Sequence, residues 1–432
     1  MLALSFVRVI NLSTMACLAL FVCTLLWTQP LKAETKVLKY DKSGKITGSQ
    51  SYQNKTKQSA PTSSPSKRGS SDFDPDTAYE RGVLILMSPP QGYADKIRTK
   101  GFRVIEHVSL GNLGMSVVRI EIPSGMDLKT ATRTLGKILP GVTIDTNTHF
   151  DPSATGYADR KTANPRSKAG WNMLSKSCGR GLILGQIDAG VDVNHPALKG
   201  QNITYRSFTK AGRKASPDGH GTSIAAMLVG KPEWGGLQPG AKLFAANFFE
   251  INETGKTVGS AVGLLQAVNW LVTQNVHAIN LSIAGGDNKI VRQAFEFAKK
   301  KNIILVASVG NWGRSDKPAF PAAYKHVIAV TAIKDDGRIY THANTGNYVD
   351  FAEPGVEIYT ATAGGGGKAR SGTSYGAPYV TVMAAILTKA GKAAKASDLR
   401  KILSKVTVDL GKPGKDKIFG FGKIKVRPVC NN

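Results

Sequence analysis

From Gly179 onward the chain repeats one pattern, a short apolar run followed by a longer stretch with apolar positions at helical spacing. Leu182 to Ile187 precedes such a stretch from about Gly221 to Leu228, and Lys242 to Phe248 precedes another from about Val258 to Thr273. Ala278 to Ser282 leads to Ile290 to Lys301, and the runs Ile303 to Ala307 and Val327 to Ala332 follow. Strands that are apolar throughout, rather than at alternate positions, must be covered on both faces, and strands separated by helices run parallel. The pattern predicts an α/β fold, a parallel sheet with helices on both sides, whose ligands gather at the carboxyl ends of the strands.

Three of those ends carry polar residues. Asp188 closes the first strand in Ile187-Asp188-Ala189-Gly190. His220 opens a helical stretch in Pro217-Asp218-Gly219-His220-Gly221-Thr222-Ser223, between two glycines that permit close approach of the chain. Asn311 ends another strand in Ala307-Ser308-Val309-Gly310-Asn311-Trp312. A fourth block, Ser371-Gly372-Thr373-Ser374-Tyr375-Gly376-Ala377-Pro378, runs into an apolar stretch of Val380, Val382, Met383, Ala385 and Ile386. Proline is tolerated only in a helix's opening turn, so Ser374 is read at the first turn of a buried helix. Unsatisfied N–H groups there favour an oxyanion. Singly, each block has a plain structural reading: a turn aspartate, a capping histidine, a turn asparagine, an N-cap serine. Jointly they set an acid, a histidine and a serine, in that order along the chain, beside an amide that could donate to a developing oxyanion.

The chain order Asp, His, Ser, with Asn311 between the last two, resembles the subtilisin-like serine proteases, the subtilase family. The resemblance runs from about Leu182 to Val426, within a domain of residues 178–432, and includes Ala278 to Ser282, Phe320-Pro321-Ala322-Ala323-Tyr324 and Phe419-Gly420-Phe421-Gly422-Lys423. It implies that Ser374 is the nucleophile, His220 the general base and acid, and Asp188 the group that orients His220. Asn311 and the Ser374 N–H would form the oxyanion hole. Leu281, Ser282, Ile283, Ala284 and Gly285 would run beside a polypeptide substrate as an added strand. Ser308, Val309 and Gly310 would wall a side-chain pocket, with Arg314 in the next loop hinting at acidic substrate neighbours. No organic cofactor is implied, and the protein is expected to act as a monomer. The alternative on the same fold is an envelope protein that binds peptides without cutting them. Three positions depart from the family: Ala189 replaces the usual Thr or Ser, Ser223 a common second His, and Tyr375-Gly376 the usual Met-Ala. None removes a catalytic group. The loop Gly230 to Gly236 lacks the Asn and Asp oxygens of a calcium loop, so no metal is expected there.

Upstream, residues 81–150 read as strand, helix, strand, strand, helix, strand, the order of a small ferredoxin-like domain. Its place before a protease resembles the inhibitory pro-domains of subtilases, and the polar residues 151–177 are the expected site of a processing cut. Residues 34–80 are rich in Ser, Lys, Gln and Thr, which predicts a disordered linker. Arg8, the apolar run Met15 to Trp27 and Leu31-Lys32-Ala33 read as a signal peptide over 1–33, with an uncleaved anchor as the alternative. The protein is then periplasmic or secreted. Cys17 and Cys23 would leave with the signal, and Cys178 and Cys430 form a candidate disulfide, two free buried thiols being the other reading. The 57 Lys and Arg against 30 Asp and Glu, a net charge of +27, are scattered singly without a nucleic-acid fingerprint. The expected partner of that charge is the anionic envelope, not nucleic acid.

Overall fold

The computed structural model describes residues 37–40, 46–50, 78–152, 155–158, 162–171 and 176–428. The signal-peptide reading and Cys430 lie outside the described residues. Seven parallel strands form the main sheet in the order Phe351–Pro354, Val327–Ile333, Ile304–Ser308, Ala278–Leu281, Ile183–Asp188, Lys242–Asn247 and Ile203–Ser207. Helices Gly219–Val229 and Ala377–Lys389 cover one face, and helices Ala261–Leu271 and Lys289–Lys300 the other. From Gly221 to Val229 every residue of the first helix is buried. Such a helix belongs to the interior of a large sheet, not to its surface. The expected start of a helix at Val258 is corrected: Thr257–Ser260 is a strand, and the Ser260 side chain then accepts from Gly263 N to begin the helix at Ala261.

The upstream domain has strands Tyr79–Met87, Arg103–Leu110, Met115–Glu121 and Thr143–Pro152, with helices Tyr93–Arg98 and Leu128–Ile138. The strands lie fourth, first, third, second, every neighbouring pair antiparallel, which is the ferredoxin-like arrangement. Leu84 and Leu86 pack with Val118, Ile120 and Leu135 in the domain's own core, while Ile85 and Val117 join the core of the main domain. Both faces of this sheet are therefore covered. The segment expected to be wholly linker contributes strands Val37–Tyr40 and Ile46–Gln50, a hairpin on the edge of the same sheet.

Polar contacts fasten the two domains together. Asn147 Oδ1 accepts from Val262 N at 3.2 Å and Asp145 Oδ2 from Lys289 N at 2.7 Å, so upstream side chains satisfy the unpaired N–H groups of two helix N-termini. Arg119, almost fully buried, is paired with Glu80 and Glu106, and Lys210 of the main domain meets Glu80 at 2.9 Å. Burial raises the Glu80 carboxyl, but the charge of Arg119 and the hydrogen bonds from Lys210 and Asn147 outweigh it and hold the group down at about 2. A glutamate depressed in the folded state stabilises at neutral pH, and the contribution disappears as pH falls from about 4.5 towards 2. Glu80→Gln should therefore lose up to about 3 kcal/mol at pH 7 and almost nothing below pH ~2. Calorimetry of the uncut chain across this range checks it; a gap between variant and wild type that does not close in acid contradicts it.

Candidate active site

Asp188 is the last residue of its strand and fully buried. Its Oδ1 accepts from Ala189 N at 2.6 Å and meets His220 Nδ1 at 2.5 Å. Its Oδ2 has no partner among the described residues. His220 reaches this carboxylate because its helix lies against the Ala189-Gly190 loop: a Cβ at Gly221 would meet Ala189 O at 2.3 Å. Only glycine fits there. Gly219, the other glycine of the pair, has room for a side chain. His220 Nε2 is buried and also unpartnered among the described residues.

Ser374 lies in a 3-10 turn, Thr373–Tyr375, just ahead of the helix Ala377–Lys389, so it stands one step before the helix that the sequence assigned it to. A chain of hydrogen bonds ties this turn to the centre of the sheet. Thr381 Oγ1 donates to Asn280 Oδ1 at 3.0 Å, Asn280 Nδ2 to Ser282 Oγ at 2.8 Å, and Ser282 Oγ to Ser374 O at 3.3 Å. Asn311 is buried, and its Oδ1 accepts from both Thr373 N and Thr373 Oγ1 at 3.0 Å. Those two bonds fix which way the amide faces. They leave Nδ2 a buried donor with no partner among the described residues, beside the serine turn. Buried polar atoms normally find partners. Such unpaired atoms also occur elsewhere in the described residues, but those of Asp188, His220 and Asn311 gather around the serine turn.

Of the five residues expected along a peptide, Ile283, Ala284 and Gly285 form a separate strand, while Leu281 belongs to the main sheet and Ser282 braces the serine turn. The occupant of that strand's edge is the upstream domain itself. Phe150, Asp151 and Pro152 pair antiparallel with Gly285, Ala284 and Ile283, and Phe150 and His149 pair with Gly259 and Ser260 on the other side. Phe150 is fully buried, its ring 6.4 Å from that of Phe248, and a Cβ on Gly285 would meet its Cδ1 at 2.5 Å. Beyond the cleft the chain returns as strand Thr155–Ala158, which pairs with Gly367–Ser371 immediately before the serine turn. The second flanking strand, Thr257–Ser260, and Phe248 were not found in the sequence; the glycine in Val258-Gly259-Ser260 was the available sign of a close backbone approach.

Ser308 and Val309 are buried, Val309 accepting from Tyr348 OH at 3.2 Å, and Gly310 faces Ala284 and Ala319. Arg314 does not support acidic substrate neighbours, because its guanidinium makes two bonds to Asp316, at 2.9 and 2.7 Å. Cys178 is buried with its sulfur 3.5 Å from Gln238 Oε1.

The sequence pattern described as "Subtilase family" matches residues 179–422. The minor extracellular protease Epr of Bacillus subtilis is 29% identical over 253 residues, 58% of this chain and 38% of that protein. Subtilisin-like protease 1 of Trichophyton verrucosum is 30% identical over 234 residues, 52% of this chain and 57% of that protein. The chain thus spans about half the length of these curated relatives. Fervidolysin from Fervidobacterium pennivorans, described as a keratinolytic enzyme related to subtilisin, superimposes with a TM-score of 0.65 at 23% identity, over 81% of this chain and 61% of that one. That likeness speaks for the fold, and the sequence pattern covers more than half of the chain; the protein belongs to the subtilase family.

Proposed function

We propose that this chain is an exported serine endopeptidase, made with an inhibitory pro-domain that its own active site removes. The observation that carries the reading is how the end of the upstream domain is held: Phe150–Pro152 is laid as an added strand on Ile283–Gly285, and Thr155–Ala158 on Gly367–Ser371, the strand that leads into the serine turn. Such a groove reads backbone and would accept other polypeptides in the same way.

In the proposed chemistry His220 Nε2 takes the Ser374 Oγ proton as that oxygen attacks the scissile carbonyl. Asp188 holds Nδ1–H and stabilises the imidazolium. Asn311 Nδ2 and the Ser374 N–H receive the oxyanion, which explains a buried amide donor kept unpaired. His220 then protonates the leaving amine, and water resolves the acyl-enzyme by the same steps in reverse order. Residues 1–33 as a signal peptide, a Cys178–Cys430 disulfide and a cut within 151–177 complete the proposal for an exported precursor.

A fluorophosphonate probe tests it on the processed protein: one label on Ser374, absent after Ser374→Ala, together with hydrolysis of casein. No label on the processed wild type would leave a peptide-binding protein instead. Asn311→Leu should keep KM and lower kcat by about 100- to 1000-fold. An unchanged kcat would remove Asn311 from the oxyanion hole.

A further inference from the structure

His220 is tethered at one ring nitrogen, with Nδ1 on Asp188 and no partner for Nε2 among the described residues. The χ2 torsion of a histidine is broad and roughly two-fold, so one hydrogen bond does not fix the plane of the ring. A second contact is present. The ring of Tyr375, 1% exposed, stands edge-to-face with the imidazole at 5.8 Å between centroids and 64° between planes. Aromatic pairs in this geometry hold one another beyond the area they bury. Tyr375 directly follows Ser374 in the same short turn, so the segment that presents the nucleophile also presents the ring that meets the base.

The hydroxyl of Tyr375 does not account for the residue. It is buried without a hydrogen-bond partner among the described residues, although Ser223 lies near it, and Ser223 Oγ is already within reach of the carbonyls of Ala361 at 2.7 Å and Gly219 at 2.9 Å. An unpaired buried hydroxyl costs stability, so the feature to explain is the ring. We propose that Tyr375 is a positioning residue for His220: its ring fixes the imidazole plane so that Nε2 faces Ser374. The inference rests on the catalytic roles proposed above.

The test compares the processed wild type with Tyr375→Phe, which keeps the ring, and Tyr375→Met, which fills similar length without one, on a chromogenic peptide. Wild-type turnover is the control on the catalytic reading itself: if there is none, that reading fails whatever Tyr375 does. Given turnover, Tyr375→Phe should stay within about twofold of wild type, while Tyr375→Met should lose about 10- to 100-fold in kcat with KM nearly constant, since misplacing a reacting group by about 1 Å costs up to two orders of magnitude. The proton shared by His220 Nδ1 and Asp188 gives a second readout, a far-downfield NMR resonance expected sharp in the Phe variant and broadened in the Met variant. This can be recorded in the full Ser374→Ala chain, where the docked upstream domain supports the fold should processed Tyr375→Met fail to form. Wild-type kcat and resonance in Tyr375→Met, or equal impairment in Tyr375→Phe, overturns the proposal.

Discussion

Ser374→Ala should leave the precursor uncut and lower peptide hydrolysis about 10⁶-fold, the size of loss recorded for subtilisin when its nucleophile alone is removed. The expectation is this large because the triad acts as a unit, so losing one member forfeits nearly all that the three provide. Intact mass and N-terminal sequencing of the secreted protein provide the first reading. Wild type should begin within residues 151–177 and the variant near Glu34. If both begin near Glu34, the site does not process its own chain and the proposal loses its main support.

Phe150→Ala should shorten the latent period after cleavage by roughly 100-fold or more. The ring is fully buried between the two flanking strands and beside Phe248. Emptying a buried phenylalanine site costs about 3–5 kcal/mol, and here that loss falls on a contact between the two domains. Release of the upstream domain is then faster while the protease itself is unaltered. A lag in the appearance of activity equal to that of wild type would mean that Phe150 does not anchor the domain.

Much of this architecture could be read from the residues. Uniformly apolar strands such as Ile304–Ser308 exposed the parallel sheet, and Asp188 and Asn311 at strand ends, with His220 at a helix start, stood out as a set of polar residues around the sheet's carboxyl edge. Ser374 was located by Pro378, which limits where a helix can begin. The failures involve pairings that local composition does not reveal. Val258 suits a helix or a strand locally, and what decides is the pairing: Val258 lies opposite Glu250, and Gly259 also meets the backbone of Phe150 more than a hundred residues earlier. Arg314 looked available until the loop brought Asp316 against it. Val37–Tyr40 and Ile46–Gln50 were hidden by a polar composition that an edge hairpin tolerates, since one of its faces needs no core. Tyr375 was visible only as an unusual neighbour of the serine; its ring contact with His220 depends on how two distant turns meet.

The order of the parts along the chain sets a timetable. During synthesis the domain that fills the cleft emerges before the main sheet, Asp188 and His220 follow, and the turn bearing Ser374 comes after all seven strands of that sheet. On the proposed chemistry a product that stops short of that turn lacks the nucleophile, while the strand that pairs with Ile283–Gly285 has already been made. Under the proposed function, the nucleophile therefore arrives last, in a cleft whose first occupant is the chain's own upstream strand.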